Sequence, residues 1–320
     1  MSRVRLPAIA WLVTLAACGP PPSNAVPSGS FSFGVFGDGP YQPWEEHRFE
    51  RVLHDVNRSD VQWLIHVGDI LWYPCSDAAF ENRFRYFQSV DHPVVYTPGD
   101  NEWTDCYQKR PGGYEPLDRL ASIRRIFFAH PTGSLGRHRM ELESQGSDSV
   151  FAEFVENARW TRGGFVFATI HIVGSDNGLE TFPGRTARHD AEVERRTNAA
   201  IAWLDETFAR AVRDSAKGVV LALHGDMSIE SASQPRPGYA AFLAALRKNV
   251  AAFRGQVLLI HGDSHIQRVD HPLKAPDGRA YENFTRLETF GSPDVGWVRV
   301  VVDTVGGRFT TYERRLMRGW

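Results

Sequence analysis

The sequence predicts an α/β fold in which helices flank either one mixed sheet or two sheets packed together. First, five apolar segments of strand length each end in Gly-Asp, and segments with helical periodicity alternate with them. Strands that are apolar on both faces are typical of a sheet covered on both sides. Second, the last part of the chain has the short strands and turn spacing of hairpins, which indicates mixed strand directions. Polar residues that follow parallel strands gather at one edge of a sheet, so the site is predicted at the carboxyl ends of the strands.

The elements follow in order along the chain. The first hundred residues read β-α-β-α-β, which predicts parallel strands joined by right-handed crossovers. The predicted strands cover residues 31–37, 61–67 and 94–97, and the helices cover 44–57 and 77–90. After a break, strands are predicted at 164–173, 218–223 and 256–260, and helices at 188–215 and 239–253. A meander is predicted from 285–290, 296–302 and 308–313.

The alternation stops between residues 104 and 162. A helix is predicted at 115–130, and residues 131–149 are rich in Gly, Ser and charged residues. Because long irregular segments in compact domains are usually functional, we interpret 104–162 as an insertion or lid over the carboxyl edge of the sheet.

Composition indicates a globular chain beyond its N-terminus. Of 320 residues, 42% are hydrophobic and 23% are charged, and the formal net charge is -2. This balance gives no electrostatic reason to expect nucleic-acid binding. An acidic substrate would have to be held by local charge or by metal.

The N-terminus predicts export. Arg3 and Arg5 precede an apolar segment, residues 6–17, that is too short to span a bilayer as a helix. The letters LAAC, ending at Cys18, resemble the lipobox of bacterial lipoproteins, which implies cleavage before Cys18 and lipidation of that residue. The alternative is an ordinary secretory signal with a chance cysteine.

These features divide the chain into three parts. Residues 1–17 are predicted to be a signal peptide, and residues 18–30 an unfolded, Pro- and Ser-rich tether. Residues 31–320 form the domain. The predicted location is the periplasm or the cell surface, with the protein anchored to a membrane through its lipid.

Export makes a disulfide the default state of the remaining cysteines. Cys75 and Cys106 each lie six residues after a Gly-Asp strand ending. They should therefore leave neighbouring parallel strands. We predict a Cys75–Cys106 disulfide that pins two loops at the rim of the site.

The residues at the strand ends are carboxylates and imidazoles, without thiolates. This donor set suits Zn, Fe, Mn or Ni. Four converging carboxylates would repel one another unless cations lay between them, and two cations with one bridging carboxylate are the natural count for six ligands. The six candidate ligands are Asp38, Asp69, Asp100, His224, Asp263 and His265.

The order of these residues resembles the calcineurin-like metallophosphoesterase superfamily, including the purple acid phosphatases. The matching motifs read GDG, GDILWY, GDNEW, LALHGD and GDSH, and they extend the resemblance from residue 31 to about residue 302. The resemblance implies a metallophosphoesterase-type β-sandwich of mixed sheets flanked by helices. It also implies two divalent or trivalent metal ions at the strand ends.

The resemblance implies a role for each candidate ligand. Asp38 and His265 hold one metal, and Asp69 bridges. Asp100, His224 and Asp263 hold the other. The implied activity is the hydrolysis of phosphate esters by a metal-bridging hydroxide that attacks phosphorus.

Two departures from the family pattern affect the first metal. Pro40 stands where the family has a His ligand, and Trp72 stands at the position of the purple-phosphatase Tyr, with Tyr73 one residue later. Either Tyr41 or Tyr73 could fill the gap. Both are also candidate substrate-binding residues.

Two further departures affect the proton donor. Asn101 stands where the family has the His of Gly-Asn-His-Glu, and Asp263 replaces the first His of Gly-His-x-His, which removes the usual leaving-group acid. His171 and His261 are candidate replacements. Asn101, with Asn177 or His171, is predicted to donate hydrogen bonds to the phosphoryl oxygens.

The sequence supports more than one function. The leading hypothesis is an exported phosphoesterase with a phosphate-ester substrate. The alternative is a non-catalytic metal- or ligand-binding surface lipoprotein on the same fold, motivated by Pro40 and Asn101. A third possibility keeps the metals but hydrolyses another bond.

Overall fold

A computed structural model describes residues 28–231 and 235–319 of the chain. Its helices are α1 (Pro43–Asn57), α2 (Asp77–Ser89), α3 (Pro116–Phe127), α4 (Gly174–Gly178), α5 (Ala187–Arg213) and α6 (Pro237–Ala252). Its strands are β1 (Ser30–Phe36), β2 (Leu64–His66), β3 (Val94–Tyr96), β4 (Glu143–Ser144), β5 (Ala158–Arg162), β6 (Phe165–Thr169), β7 (Gly218–Ala222), β8 (Gln256–His261), β9 (Arg268–Asp270), β10 (Phe284–Glu288), β11 (Gly296–Asp303) and β12 (Arg308–Leu316). The predicted signal peptide and Cys18 lie outside the described residues.

The strands form two mixed sheets, which confirms the predicted fold class. The first sheet has the order β12-β11-β1-β2-β3, with β1, β2 and β3 parallel and β11 antiparallel to both neighbours. The second has the order β4-β5-β6-β7-β8-β10-β9, with β6, β7, β8 and β10 parallel. The carboxyl ends of the parallel strands carry the predicted ligands.

The two sheets pack face to face between helices. Alternate residues of β1, such as Phe33 and Val35, join Phe167 and Leu258 of the second sheet in one buried cluster. The outer face of the first sheet is covered by α1, α2 and α3, and that of the second by α5 and α6. Because the apolar strands are covered on both faces, they read as continuous hydrophobic runs.

The predicted meander is wrong for the first of its three strands. β10 pairs in parallel with β8 inside the second sheet, whereas β11 and β12 form an antiparallel hairpin in the first sheet. All five residues of β10 are buried, including Arg286, whose guanidinium is neutralised by Asp270 and Glu230. Turn spacing alone does not reveal which sheet a strand joins.

The segment from residue 104 to residue 162 is partly built into this framework. α3 packs beside α2, and β4 and β5 extend the edge of the second sheet next to β6. Whether the rest of the segment acts as a lid stays a prediction.

The chain enters the domain at the edge opposite the predicted site. The carbonyl oxygen of Gly29, just before β1, accepts a hydrogen bond from the backbone N–H of Thr304 at 2.9 Å. Asp38 follows the other end of β1. Among the described helices, none combines the length and the apolar character that a bilayer-spanning helix needs.

Cys75 and Cys106 form a disulfide, with an S–S distance of 1.94 Å. It ties the loop after β2 to the loop after β3, and both cysteines are fully buried. The structure thus contains the predicted bridge.

Removing this bridge should destabilise the domain. The cysteines are 31 residues apart, and the loop-closure entropy of a cross-link of that length predicts a loss of about 3–4 kcal/mol in the free energy of unfolding for C75A/C106A. Chemical denaturation of the full chain measures it. A reducing agent should lower the stability of the wild type and leave the variant unchanged; equal stability of the two proteins without reductant would contradict the expectation.

Candidate metal centre

The six predicted ligands lie where the carboxyl ends of the parallel strands of both sheets meet. The first sheet contributes the three residues that follow β1, β2 and β3, and the second contributes those that follow β7 and β8. These are Asp38, Asp69 and Asp100 from the first sheet and His224, Asp263 and His265 from the second.

Two groups of three side chains are close enough to hold a cation. In each group the ligand atoms lie within 4.8 Å of one another; one consists of Asp38, Asp69 and His224, and the other of Asp100, His224 and Asp263. His224 belongs to both, with Nε2 3.0 Å from Oδ1 of Asp100 and 3.3 Å from Oδ1 of Asp69. Because Nε2 has one lone pair, it can bind only one of two cations.

Both histidines have the orientation that metal ligands need. Nδ1 of His224 lies 2.8 Å from the carbonyl oxygen of Val67, and Nδ1 of His265 lies 2.7 Å from that of Ser292. When Nδ1–H donates to a carbonyl, deprotonation of the imidazolium leaves the lone pair on Nε2, which faces the centre. His265 lies outside both groups of three, but its Nε2 is 3.8 Å from Oδ1 of Asp38.

Among the four candidate carboxylate ligands, Asp69 accepts the most hydrogen bonds. Its Oδ2 accepts hydrogen bonds from the hydroxyl of Tyr41 at 2.5 Å and from Nδ2 of Asn101 at 2.6 Å, and its Oδ1 accepts one from the backbone N–H of Asn101 at 3.1 Å. Asn101 therefore positions Asp69. Its predicted hydrogen bond to a phosphoryl oxygen stays a prediction.

The structure distinguishes the two candidate tyrosines. The Tyr41 hydroxyl lies between Asp69 and His265, 3.4 Å from Nε2 of His265, which is beside the position where Pro40 replaces the family's His. The Tyr73 hydroxyl instead accepts a hydrogen bond from Arg110 at 2.8 Å, and the Arg110 guanidinium covers the Tyr73 ring. Only Tyr41 contacts the centre within the described part of the chain.

The buried carboxylates of the centre need cations to balance their negative charge. Burial raises the pKa of Asp69 well above its ordinary value; His224 opposes this shift, whereas Asp100 adds to it. Burial, and then Asp100, raise the pKa of Asp263 to about 7. Although burial alone would raise it, the hydrogen bond from His224 lowers the pKa of Asp100 to about 2. Bound cations would let all of these carboxylates ionise, so the donor set fits a metal centre.

The backbone at the centre is strained. Asp38, Asp69, Asp263 and His265 all have left-handed conformations, with φ of 54°, 57°, 76° and 63°. Non-glycine residues in this region cost of order 1–3 kcal/mol each and concentrate at functional sites. These left-handed conformations direct side chains from separate loops toward a common point.

The glycines of the Gly-Asp endings make room for carboxylates from other strands. A Cβ at Gly99 would collide with the carboxylate of Asp69, and a Cβ at Gly262 would collide with that of Asp38. The recurring Gly-Asp pair therefore supplies a ligand and the space for a ligand of the neighbouring loop.

Sequence reasoning missed two residues that hold the ligands in place. The fully buried carboxylate of Glu102 accepts hydrogen bonds from the backbone N–H groups of Asp69 and Gly99, both at 3.1 Å, and from the hydroxyl of Tyr96 at 2.7 Å. Ser175 lies within hydrogen-bonding distance of Asp100, with Oγ 3.0 Å from Oδ2. Glu102 is visible in the GDNEW motif, whereas Ser175 lies in α4, which no sequence motif marks.

His171 is placed in a different network. It is fully buried, and its Nδ1 lies 2.7 Å from Oε1 of Glu156, which also binds Arg124. Burial lowers the pKa of His171 although Glu156 opposes the shift. Among the described residues, its contacts do not include the six candidate ligands. These contacts engage His171 inside the protein and do not support the catalytic role predicted for it.

Asn177 has no free group for a substrate. Its Oδ1 accepts hydrogen bonds from Val173 and Arg196, and its Nδ2 donates to Thr197 and Gly238. These contacts use all four hydrogen-bonding positions of the amide inside the protein.

His261, the other candidate acid, is also buried, with Nε2 3.9 Å from Oε2 of Glu288.

Comparison with known proteins gives the family. Residues 31–267 match the sequence profile of the calcineurin-like phosphoesterases. The chain belongs to this family. No curated protein matches the chain. Metal-dependent phosphoester hydrolysis is the chemistry of a calcineurin-like phosphoesterase, and the candidate metal centre agrees with it.

Solved structures that resemble this calcineurin-like phosphoesterase include two bacterial proteins. One is TT1561 of Thermus thermophilus, with 9% sequence identity and a TM-score of 0.49 over 90% of this chain and 99% of that one. The other is a novel phosphatase from Mycoplasma pneumoniae, with 11% identity and a TM-score of 0.46 over 90% of this chain and 93% of that one.

Proposed function

We propose that the protein is an exported, membrane-anchored hydrolase of phosphate esters with a dinuclear metal centre. The observation that carries the proposal is the pair of three-residue groups, Asp38, Asp69 and His224 beside Asp100, His224 and Asp263. Two cations fit these groups better than one, because four carboxylates converge there and two dications balance their charge.

The distances suggest how the ligands are shared. Asp38, with His265, would hold the first cation, Asp100, His224 and Asp263 would hold the second, and Asp69 would contribute to both. The Tyr41 hydroxyl, in contact with Asp69, supplies an oxygen where the family has a His. This replacement, with Trp72 at the purple-phosphatase Tyr position, makes the centre a variant of the purple acid phosphatase type.

The cations and the side chains of the protein contribute different parts of the chemistry. Two bound dications supply Lewis-acid activation of water and neutralise charge on the phosphoryl group. Asn101 orients Asp69 and brings an amide to the centre, where it can donate to a phosphoryl oxygen. The histidine N–H groups held by Val67 and Ser292 fix the ring orientation of both imidazole ligands.

Export and anchoring are supported by the lipobox-like letters at Cys18 and by the disulfide. The described residues contain a buried Cys75–Cys106 bridge, and such bridges persist mainly in oxidising compartments. The bridge favours a location outside the cytoplasm, and the lipobox-like letters favour a lipid anchor.

Metal analysis and a substrate panel test the proposal together. Purified protein is expected to hold two metal equivalents per chain and, loaded with Mn or Zn, to hydrolyse an aryl phosphate; chelator-treated protein is the control. One equivalent or none would contradict the dinuclear centre. Two equivalents without cleavage of any mono- or diester, with Zn, Fe, Mn or Ni, would favour the non-catalytic alternative.

A further inference from the structure

An arginine without a carboxylate partner lies at the rim of the candidate metal centre. Arg110 is exposed, and its guanidinium donates a hydrogen bond to the hydroxyl of Tyr73 at 2.8 Å. Two other arginines of this region are in ion pairs, Arg83 with Glu46 and Arg119 with Asp77. In the described part of the chain no carboxylate balances the charge of Arg110.

Ring contacts connect Arg110 to the metal centre. Its guanidinium lies over the rings of Trp72 and Tyr73, 4.4 and 4.3 Å from their centroids. The half-buried Trp72 ring contacts that of Tyr41, with the centroids 6.3 Å apart, and the Tyr41 hydroxyl bonds to Asp69. Two aromatic rings therefore separate the guanidinium from a candidate metal ligand.

The loop that carries Arg110 is fixed to the loop that carries Trp72. The disulfide joins the two loops, and the backbone N–H of Cys75 donates a hydrogen bond to the carbonyl oxygen of Pro111 at 3.0 Å. Further backbone hydrogen bonds close a turn over residues 108–113. Holding an exposed arginine in one place costs side-chain entropy. Here covalent, backbone and cation–π contacts together keep the guanidinium at the rim.

We propose that Arg110 determines specificity by binding a second anionic group, of which a carboxylate is the simplest, in the organic part of the phosphate ester. A guanidinium has five N–H donors in a planar arrangement that matches a carboxylate, and Tyr73 accepts from only one of its nitrogens. With the phosphoryl group at the metal centre, the organic part would pass the Trp72 ring before it reaches Arg110. The inference rests on the proposed function and adds a substrate class to it.

A matched pair of esters tests the proposal: 4-carboxyphenyl phosphate and its neutral amide, 4-carbamoylphenyl phosphate. In the metal-loaded full chain, Arg110→Ala is expected to lower kcat/KM for the carboxylate ester at least about fivefold, mainly through KM, which corresponds to about 1 kcal/mol for an exposed ion pair. The kcat/KM for the amide ester should stay nearly unchanged. Because each ester is compared between the two proteins, the different reactivities of the leaving groups cancel.

Two further variants separate the guanidinium from charge in general. Arg139→Ala removes an exposed positive charge from the segment in which Leu135 pairs with Val94, the first residue of β3, at the end away from the centre. It should leave both esters unaffected. Arg110→Lys should recover only part of the preference, because an ammonium keeps the charge without the planar set of donors.

The outcomes distinguish this inference from the proposed function. Equal losses for the two esters, or no loss for the carboxylate ester, would overturn the specificity role while the phosphoesterase activity stands. Hydrolysis of neither ester would contradict the proposed function, and the inference would fail with it.

Salt provides a test on the wild type alone. Because salt screens exposed ion pairs, KM for the carboxylate ester should rise more steeply with ionic strength than KM for the amide ester. An equal salt dependence of the two esters would overturn the proposal even where Arg110→Ala fails to fold.

Discussion

Replacing Asp69 with Asn is expected to reduce kcat/KM for an aryl phosphate at least about a thousandfold. Asp69 is the carboxylate that the proposed centre shares, and His224, Tyr41 and Asn101 all contact it. Asn keeps the shape and an acceptor oxygen but removes the charge that both cations need. Metal-ion stabilisation of the transition state is worth several kcal/mol, and each 1.36 kcal/mol is tenfold in rate.

Metal content of the same samples separates the causes of the loss. Asp69→Asn should hold fewer than two equivalents, whereas Asp118→Asn, an exposed change on α3 with the same loss of charge, should match the wild type in metal content and rate. The bridging role would be refuted by an Asp69→Asn protein that keeps two equivalents and more than a tenth of the wild-type activity.

Glu156→Gln is expected to lower the free energy of unfolding by about 3–5 kcal/mol. The Glu156 carboxylate is fully buried and binds the guanidinium of Arg124 through two hydrogen bonds, at 2.6 and 3.0 Å, as well as His171. Gln cannot accept both bonds from Arg124, so the variant leaves a largely buried guanidinium without its counter-charge. Urea denaturation of the full chain at neutral pH measures the loss.

The pH dependence of stability provides an independent check on the Glu156 prediction. Although burial opposes it, Arg124 and His171 hold the pKa of Glu156 well below its ordinary value of 4.5. A depressed folded-state pKa contributes stability that is present above pH 4.5 and is lost as the pH falls below it. The difference in the free energy of unfolding between the wild type and Glu156→Gln should therefore become smaller as the pH falls below 4.5.

A surface ion pair gives the matched control for this stability prediction. Glu143 is partly exposed and pairs with Arg159 and Arg210, so Glu143→Gln should cost no more than about 1 kcal/mol. If Glu156→Gln lowers the free energy of unfolding no more than Glu143→Gln does, the network of Arg124, Glu156 and His171 contributes little to stability.

The sequence predicts the convergence of the candidate ligands because parallel strands carry their next residues to a common edge. Gly-Asp at the ends of β1, β2 and β3 is enough to place Asp38, Asp69 and Asp100 together. The histidines follow from the same rule applied to β7 and β8. The sequence does not show that these ends belong to two different sheets, because both sheets contain apolar parallel strands.

Residues on loops were predicted less well. Tyr41 and Tyr73 are equally plausible by position, but only the course of the loop after β1 carries a hydroxyl to Asp69. Asn177 and His171 follow β6 and look available, yet Arg196 and Glu156 engage them inside the protein. These partners are distant in sequence and come together only through packing of α5 and the segment before β5.

The entry of the chain at Gly29, opposite Asp38, bears on where the substrates come from. With the lipid proposed at Cys18, the linker to Gly29 would reach at most about 40 Å. The attachment point would then lie on the side of the domain where β1 begins, away from the metal centre. Such an orientation favours esters dissolved in the surrounding fluid over the headgroups of the anchoring membrane.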